Sequence, residues 1–185
     1  METENKISKL FPDSELIQNK RPIKITEKQE WDFYEAFAKE IIKGNWSNSD
    51  LADIIADVSQ INKNDNGYEI AKELEGYRKE ATYDIDTQFI EFLDDFGYRK
   101  DKILEANVKL WVKAHNPQPK FLVGTELIIN KQLYRGEYEA GKIIYITGYA
   151  KDRALYVFHS DKSHNGGVIL PYELIENHCS PKTKE

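Results

Sequence analysis

The chain has 185 residues, of which 40% are hydrophobic and 31% charged, and its formal net charge is −6. That length suits one ordinary domain or two small ones, and the apolar share supplies a packed core, which excludes a wholly disordered chain. No run approaches the ~18 apolar residues of a membrane span, and Met1 to Lys9 lack the apolar stretch of a secretory signal. The single cysteine, Cys179, can form no internal disulfide, so a cytoplasmic protein is expected.

Residues 1–25 are polar, contain Pro12 and Pro22 and keep no period, and they read as a flexible or extended arm. Thr26 with Gln29 forms a capping box that opens a helix. Its apolar stripe is Trp31, Tyr34, Ala38 and Ile41, widened by Phe33 and Phe37, and Gly44 ends it. Ser47 and Asp50 start a second helix on Leu51, Ile54, Ile55 and Val58, which fades near Ile61. Asn64 and Asp65 start a third, in which Ile70, Leu74 and Tyr77 share a face. Asp84 or Asp86 caps a fourth, with Ile85, Phe89, Phe92, Leu93 and Phe96 inward and Gly97 as its stop. A fifth is expected from about Arg99 to His115, with Leu104, Val108, Trp111 and Val112 inward and Pro117 past its end.

Past Pro117 the apolar period shortens from helical to alternating. Short strands are expected at Phe121–Val123, Glu126–Ile129, Lys142–Tyr149, Ala154–His159, Val168–Leu170 and Leu174–Ile175. Turn signals separate them at Arg135–Gly136, Gly141, Lys151–Asp152 and Asn165–Gly167. The predicted fold class is therefore α+β: an arm over 1–25, an acidic five-helix bundle over 26–117, a small β-domain over 118–178 and a disordered tail over 179–185.

The run from Gly166 to Ile175, two glycines, a short strand, Pro171 and a final apolar strand, resembles the end of a Src-homology-3-like β-barrel. The resemblance covers about 60 residues and implies that 118–178 is such a barrel, with 130–141 as its long first loop. Proline-rich peptide binders of that family carry paired tryptophans, and residues 118–185 contain none, so polyproline binding is not implied. Tyr134, Tyr138 and Tyr172 are expected to line a shallow groove on the barrel.

Asp50, Asp53 and Asp57 stand at i, i+3 and i+7, a spacing that puts three carboxylates on one helix face. A hard cation needs more oxygen ligands than these, and no Glu-x-x-His helix completes the set, so neither metal nor cofactor is expected. His159, His164, His178 and Cys179 fit no paired-ligand spacing for zinc. With no phosphate loop, nucleophile elbow or Cys/His pairing, no catalytic residue is assigned and no enzymatic activity is expected.

The distribution of charge says more than its sum. Residues 26–117 carry 12 Lys/Arg and 20 Asp/Glu, and between Asp50 and Asp95 the ratio is four to 13. Such a surface repels phosphate backbones and attracts basic proteins, unless it serves solubility alone. The expected partner-binding residues are Asp50, Asp53, Asp57, Glu69, Glu73, Asp84, Asp86, Glu91, Asp94 and Asp95, with Glu80 beside them and Tyr134, Tyr138 and Tyr172 on the barrel. This predicts an acidic inhibitor or regulator, of the phage counter-defence, immunity or antitoxin type, acting on a basic nucleic-acid-processing enzyme. The alternative is a nucleic-acid binder with Lys120, Lys131, Arg135, Lys142, Lys151 and Arg153 on phosphates and Tyr134, Tyr138, Tyr145 or Tyr149 under bases. A third is a metal-dependent enzyme built on the Asp50–Asp57 face.

Overall fold

The computed structural model describes residues 20–76, 81–133, 138–160 and 167–182. Tyr77, Glu80, Tyr134, Arg135, Gly136 and His164, which the sequence singles out, lie outside them. The chain divides into two compact units, one ending at Asn107 and the next starting at Val108.

In the first unit the capping box forms as the sequence predicts. Thr26 Oγ1 accepts from Gln29 N at 3.2 Å, and Gln29 Oε1 accepts from Thr26 N at 3.1 Å, opening α1 (Glu27–Lys43). Its buried stripe centres on Phe33, Phe37 and Ile41, four residues apart, which turns Trp31 outward to 58% exposure. Helix α2 (Leu51–Val58) packs on α1 and buries Ile54 and Val58. Helix α3 (Gly67–Glu75) starts later than expected, from an Asn66 cap. Asn64 and Asp65 belong instead to the preceding turn, where Asn62 Oδ1 accepts from Asn64 N and Asn62 Nδ2 donates to Asp65.

Helix α4 (Thr87–Asp94) is capped by Asp86, whose Oδ1 accepts from Phe89 N at 2.7 Å. It ends at Asp95, not at Gly97, which sits in the first turn of α5 (Phe96–His115). A Cβ on Gly97 would lie 2.1 Å from the Lys63 carbonyl oxygen, so this glycine serves a close backbone approach and stops nothing. Phe33, Phe37, Phe89, Leu93 and Phe96 share one core with Ile41, Ile54, Ile70 and Leu74.

The second unit is a five-stranded antiparallel sheet of strands β1 (Glu126–Ile129), β2 (Ile143–Ala150), β3 (Leu155–His159), β4 (Val168–Pro171) and β5 (Cys179–Pro181), in the order β4-β3-β2-β1-β5. Alternation buries Leu127, Ile129, Ile144, Ile146, Tyr156 and Phe158, and Trp111, Phe121, Tyr138, Tyr172 and Ile175 complete that core. Trp111 and Val112 pack here, which is why the unit begins within α5 and not at Pro117.

Four expectations for this half need correcting. Phe121–Val123 is a turn and not a strand: Phe121 alone is buried, Leu122 and Val123 are exposed, and Gly124 at φ +88° completes it. Leu174–Ile175 falls in a helix, α6 (Tyr172–His178), because Tyr172 and Ile175 are both buried and helical spacing puts them on one side. The expected tail holds the last strand instead: Cys179, Ser180 and Pro181 pair with Ile129, Ile128 and Leu127. No pairing joins β4 to β5, so the sheet is open and not closed into a barrel. Among the described residues no helix is long and apolar enough to cross a membrane.

Candidate functional site

The acidic stretch folds into two groups of carboxylates. The first forms where the segment 81–84 lies along α2. Ser47 Oγ donates to Thr82 O at 2.6 Å, Thr82 N donates to Ser49 Oγ at 2.9 Å, and Asp84 N donates to Trp46 O at 2.8 Å. Asp57 belongs to this scaffold. It is only 4% exposed, and its Oδ2 accepts from Ala81 N at 3.2 Å and from the Tyr83 hydroxyl at 3.0 Å. Burial, helped by the Asp57 charge, pushes the Tyr83 phenol well above its ordinary range.

Asp57 is therefore no partner-binding residue, because a carboxylate enclosed by its own backbone presents nothing outward. Asp50 and Asp84 are exposed, Asp53 is half-buried, and the three-carboxylate face does not exist. Among the described residues no three His, Cys, Asp or Glu side chains gather to hold a metal ion. Asp57→Ala is expected to cost about 1–3 kcal/mol, since it leaves the buried Ala81 N–H and Tyr83 hydroxyl without this acceptor. Urea denaturation followed by far-ultraviolet circular dichroism checks this, and an unchanged midpoint would show the contact to be dispensable.

The second group lies where α3, α4 and α5 begin and end. Asp94 Oδ1 accepts from Gly67 N, and a Cβ on Gly67 would stand 2.1 Å from Ile90 O, so only glycine lets the two helices meet. Glu69 Oε2 accepts from Asn66 N at 3.1 Å, closing the α3 capping box. Glu69, Asp86 and Asp94 thus bond to backbone N–H groups and stay exposed, while Glu73, Glu91 and Asp95 are simply exposed.

Of the cations nearby, Lys63 pairs with Asp101, Arg99 with Glu40, Lys100 with Glu30 and Lys102 with Glu105, and Lys72 stands over the Tyr68 ring at 5.6 Å. Among the described residues no salt bridge reaches Asp50, Asp53, Glu69, Glu73, Asp84, Asp86, Glu91, Asp94 or Asp95. Two aromatic rings that the sequence reading missed are also exposed in this unit, Tyr68 at 60% and Tyr98 at 62%. Each follows one of the close-packed glycines, Gly67 and Gly97, which was the available signal.

A groove of about 470 Å³ in the same unit sets Lys24, Lys63 and Lys100 against Glu27, Glu30 and Asp101. Hydrogen bonds from Lys100 and Tyr34 hold the Glu30 carboxyl below its usual range. The equal numbers of opposite charges give the groove no net preference for an ion.

Two tyrosines of the sheet unit, Tyr138 and Tyr172, are placed differently from expectation. Tyr138 and Tyr172 are buried, 7% and 3% exposed, so they line no groove. Tyr138 meets Phe158 edge-on at 5.3 Å between ring centroids, and Tyr172 lies 4.6 Å from Tyr156. The Tyr156 hydroxyl donates to Glu176 Oε1 and accepts from Phe121 N, both at 2.8 Å, and burial raises its phenol. Tyr149 donates to Phe121 O at 3.0 Å and serves the same core. Lys120, Lys131, Lys142 and Lys151 are exposed and Arg153 is half-buried, and of the described tyrosines expected under bases Tyr138 is buried while Tyr145 and Tyr149 are half-buried. Compared with known protein families, with characterised proteins and with solved structures, the chain has no match.

Proposed function

We propose that the protein is a non-enzymatic interaction module, an acidic inhibitor or regulator that docks through its helical unit onto a basic protein surface of the kind nucleic-acid-processing enzymes present. The observation that carries this reading is the set of exposed carboxylates on capped helices that no salt bridge among the described residues neutralises. Exposed ion pairs contribute only about 0–1 kcal/mol each, so these acids serve approach and partner choice more than affinity. Phosphate backbones are repelled by the same field. The open sheet unit is read as related to the Src-homology-3-like arrangement, without its closure, through its run of four antiparallel strands with β5 at the edge of β1, and it is assigned no nucleic-acid role.

The test compares the parent with a variant carrying Asp50→Asn, Asp53→Asn, Asp84→Asn, Glu91→Gln and Asp95→Asn. Asparagine retains capping ability at helix starts, and Asp57 and Asp94 are left intact because they hold backbone groups. In affinity capture from bacterial extracts, a basic nucleic-acid-processing protein should be retained by the parent and lost with the variant. Equal capture by both would overturn the proposal.

A further inference from the structure

Helix α3 opens on Asn66–Gly67. An asparagine in front of glycine is chemically labile, because glycine has no Cβ to keep its backbone nitrogen away from the neighbouring side chain. In the reaction Gly67 N gives up its proton and attacks Asn66 Cγ, the Cγ–Nδ2 bond breaks, ammonia leaves and a cyclic succinimide remains. Water then opens the ring. Cleavage between Gly67 N and Cγ yields aspartate, whereas cleavage between Gly67 N and the Asn66 main-chain carbonyl carbon yields isoaspartate.

Asn66 is exposed, so water reaches its amide, yet every atom that must move is held. Asn66 Oδ1 accepts from Glu69 N at 2.9 Å and Asn66 N donates to Glu69 Oε2 at 3.1 Å, which fixes side chain and backbone together. Gly67 N, the nucleophile, donates to Asp94 Oδ1 on α4. That carboxylate opposes loss of the proton, since a second negative charge would form beside it. Gly67 is buried, and an atom at its Cβ position would stand 2.1 Å from Ile90 O. Its nitrogen therefore cannot swing toward Cγ unless α3 leaves α4.

We propose that Asn66 is a self-modification site gated by the contact between α3 and α4, with Asp94 as the latch. While the latch is closed, the asparagine persists. When the first turn of α3 opens, the succinimide forms and its hydrolysis records the opening irreversibly. Aspartate at this position still caps the helix and adds a negative charge beside Glu69. Isoaspartate lengthens the main chain by one carbon, which takes the capping oxygen away from Glu69 N and prevents α3 from closing again on α4. The modification requires no partner.

The test incubates the full chain at mildly alkaline pH with and without guanidinium chloride. The tryptic peptide Asn64–Lys72 is then followed by mass spectrometry, with fragmentation that separates Asn66 from Asn64. The folded parent should convert Asn66 about tenfold or more slowly than the unfolded chain, because reaction passes through a minor open state. Asp94→Ala, shown by circular dichroism to be folded, should convert about tenfold faster than the folded parent, the effect of losing one hydrogen bond to a charged group. Glu91→Ala on the same helix should match the parent. Should Asp94→Ala fail to fold, Asp94→Asn, which can still accept but carries no charge, takes its place and should convert faster than the parent. Equal rates with and without guanidinium, or a folded Asp94 variant that converts no faster than the parent, overturn the proposal.

Discussion

Phe37→Ala is expected to destabilise the helical unit by about 3–5 kcal/mol, the range for removing a buried phenylalanine. The ring is 2% exposed and lies 5.8 Å from Phe33, 4.5 Å from Phe92 and 5.0 Å from Phe96, so three neighbours lose contact at once. The Arg99 guanidinium, 5.6 Å above the same ring and paired with Glu40, would lose part of its seat. Small domains have about 5–15 kcal/mol in total, so the variant approaches unfolding at ambient temperature. Trp31→Ala on the same helix is the control. That ring is 58% exposed, and its loss should shift stability by about 0.5 kcal/mol or less. Urea midpoints followed by circular dichroism separate the two cases, and equal midpoints would mean that the aromatic cluster is not what holds the helices.

The second large effect concerns where the sheet unit begins. Trp111 is 5% exposed inside the sheet core, and among the described residues its Nε1 meets no hydrogen-bond acceptor, so its contribution is that of a packed ring. A fragment starting at Val108 keeps this ring and should fold. One starting at Pro117 loses it, at a cost of about 3–5 kcal/mol, and should be largely unfolded, since a small unit has little more than that to lose. Amide dispersion in proton–nitrogen spectra distinguishes the two. Equal dispersion would place the boundary at Pro117 and make Trp111 an accessory. Trp111→Ala in the full chain should reproduce the loss.

Much of the fold was legible because local chemistry set it. The Thr26–Gln29 box, the Asp86 cap and the alternation of Glu126–Ile129 depend on residues within one turn or one strand, and all three form as expected. The misreadings share a different origin. Gly97 looks like a helix stop until the Lys63 carbonyl is placed against it. Leu174–Ile175 is too short a run for alternation to be told from helical spacing, and the core contact of Tyr172 with Tyr156 settles it as helix.

The site divides in the same way. The acidic excess is a property of composition and was visible, whereas the fate of each carboxylate depends on tertiary neighbours. Asp57 differs from Asp53 only because the backbone of Ala81, 24 residues on, closes over it. Tyr138 and Tyr172 read as surface tyrosines because nothing local announces that a sheet will cover them. Tyr68 and Tyr98 went unremarked because their exposure depends on contacts made by the glycines beside them.

In the proposed function, unneutralised carboxylates on the helical unit steer a basic partner. The steering is tested most directly by the association rate with the captured partner, measured across ionic strength for the parent and the five-acid variant. Steering acts over a Debye length of about 10 Å at 0.1 M salt and shrinks to about 3 Å at 1 M. The parent's rate should therefore fall about tenfold or more over that range. The variant should start slower and change little. Identical rates and identical salt slopes for the two proteins would contradict the claim and leave the acids as solvated surface.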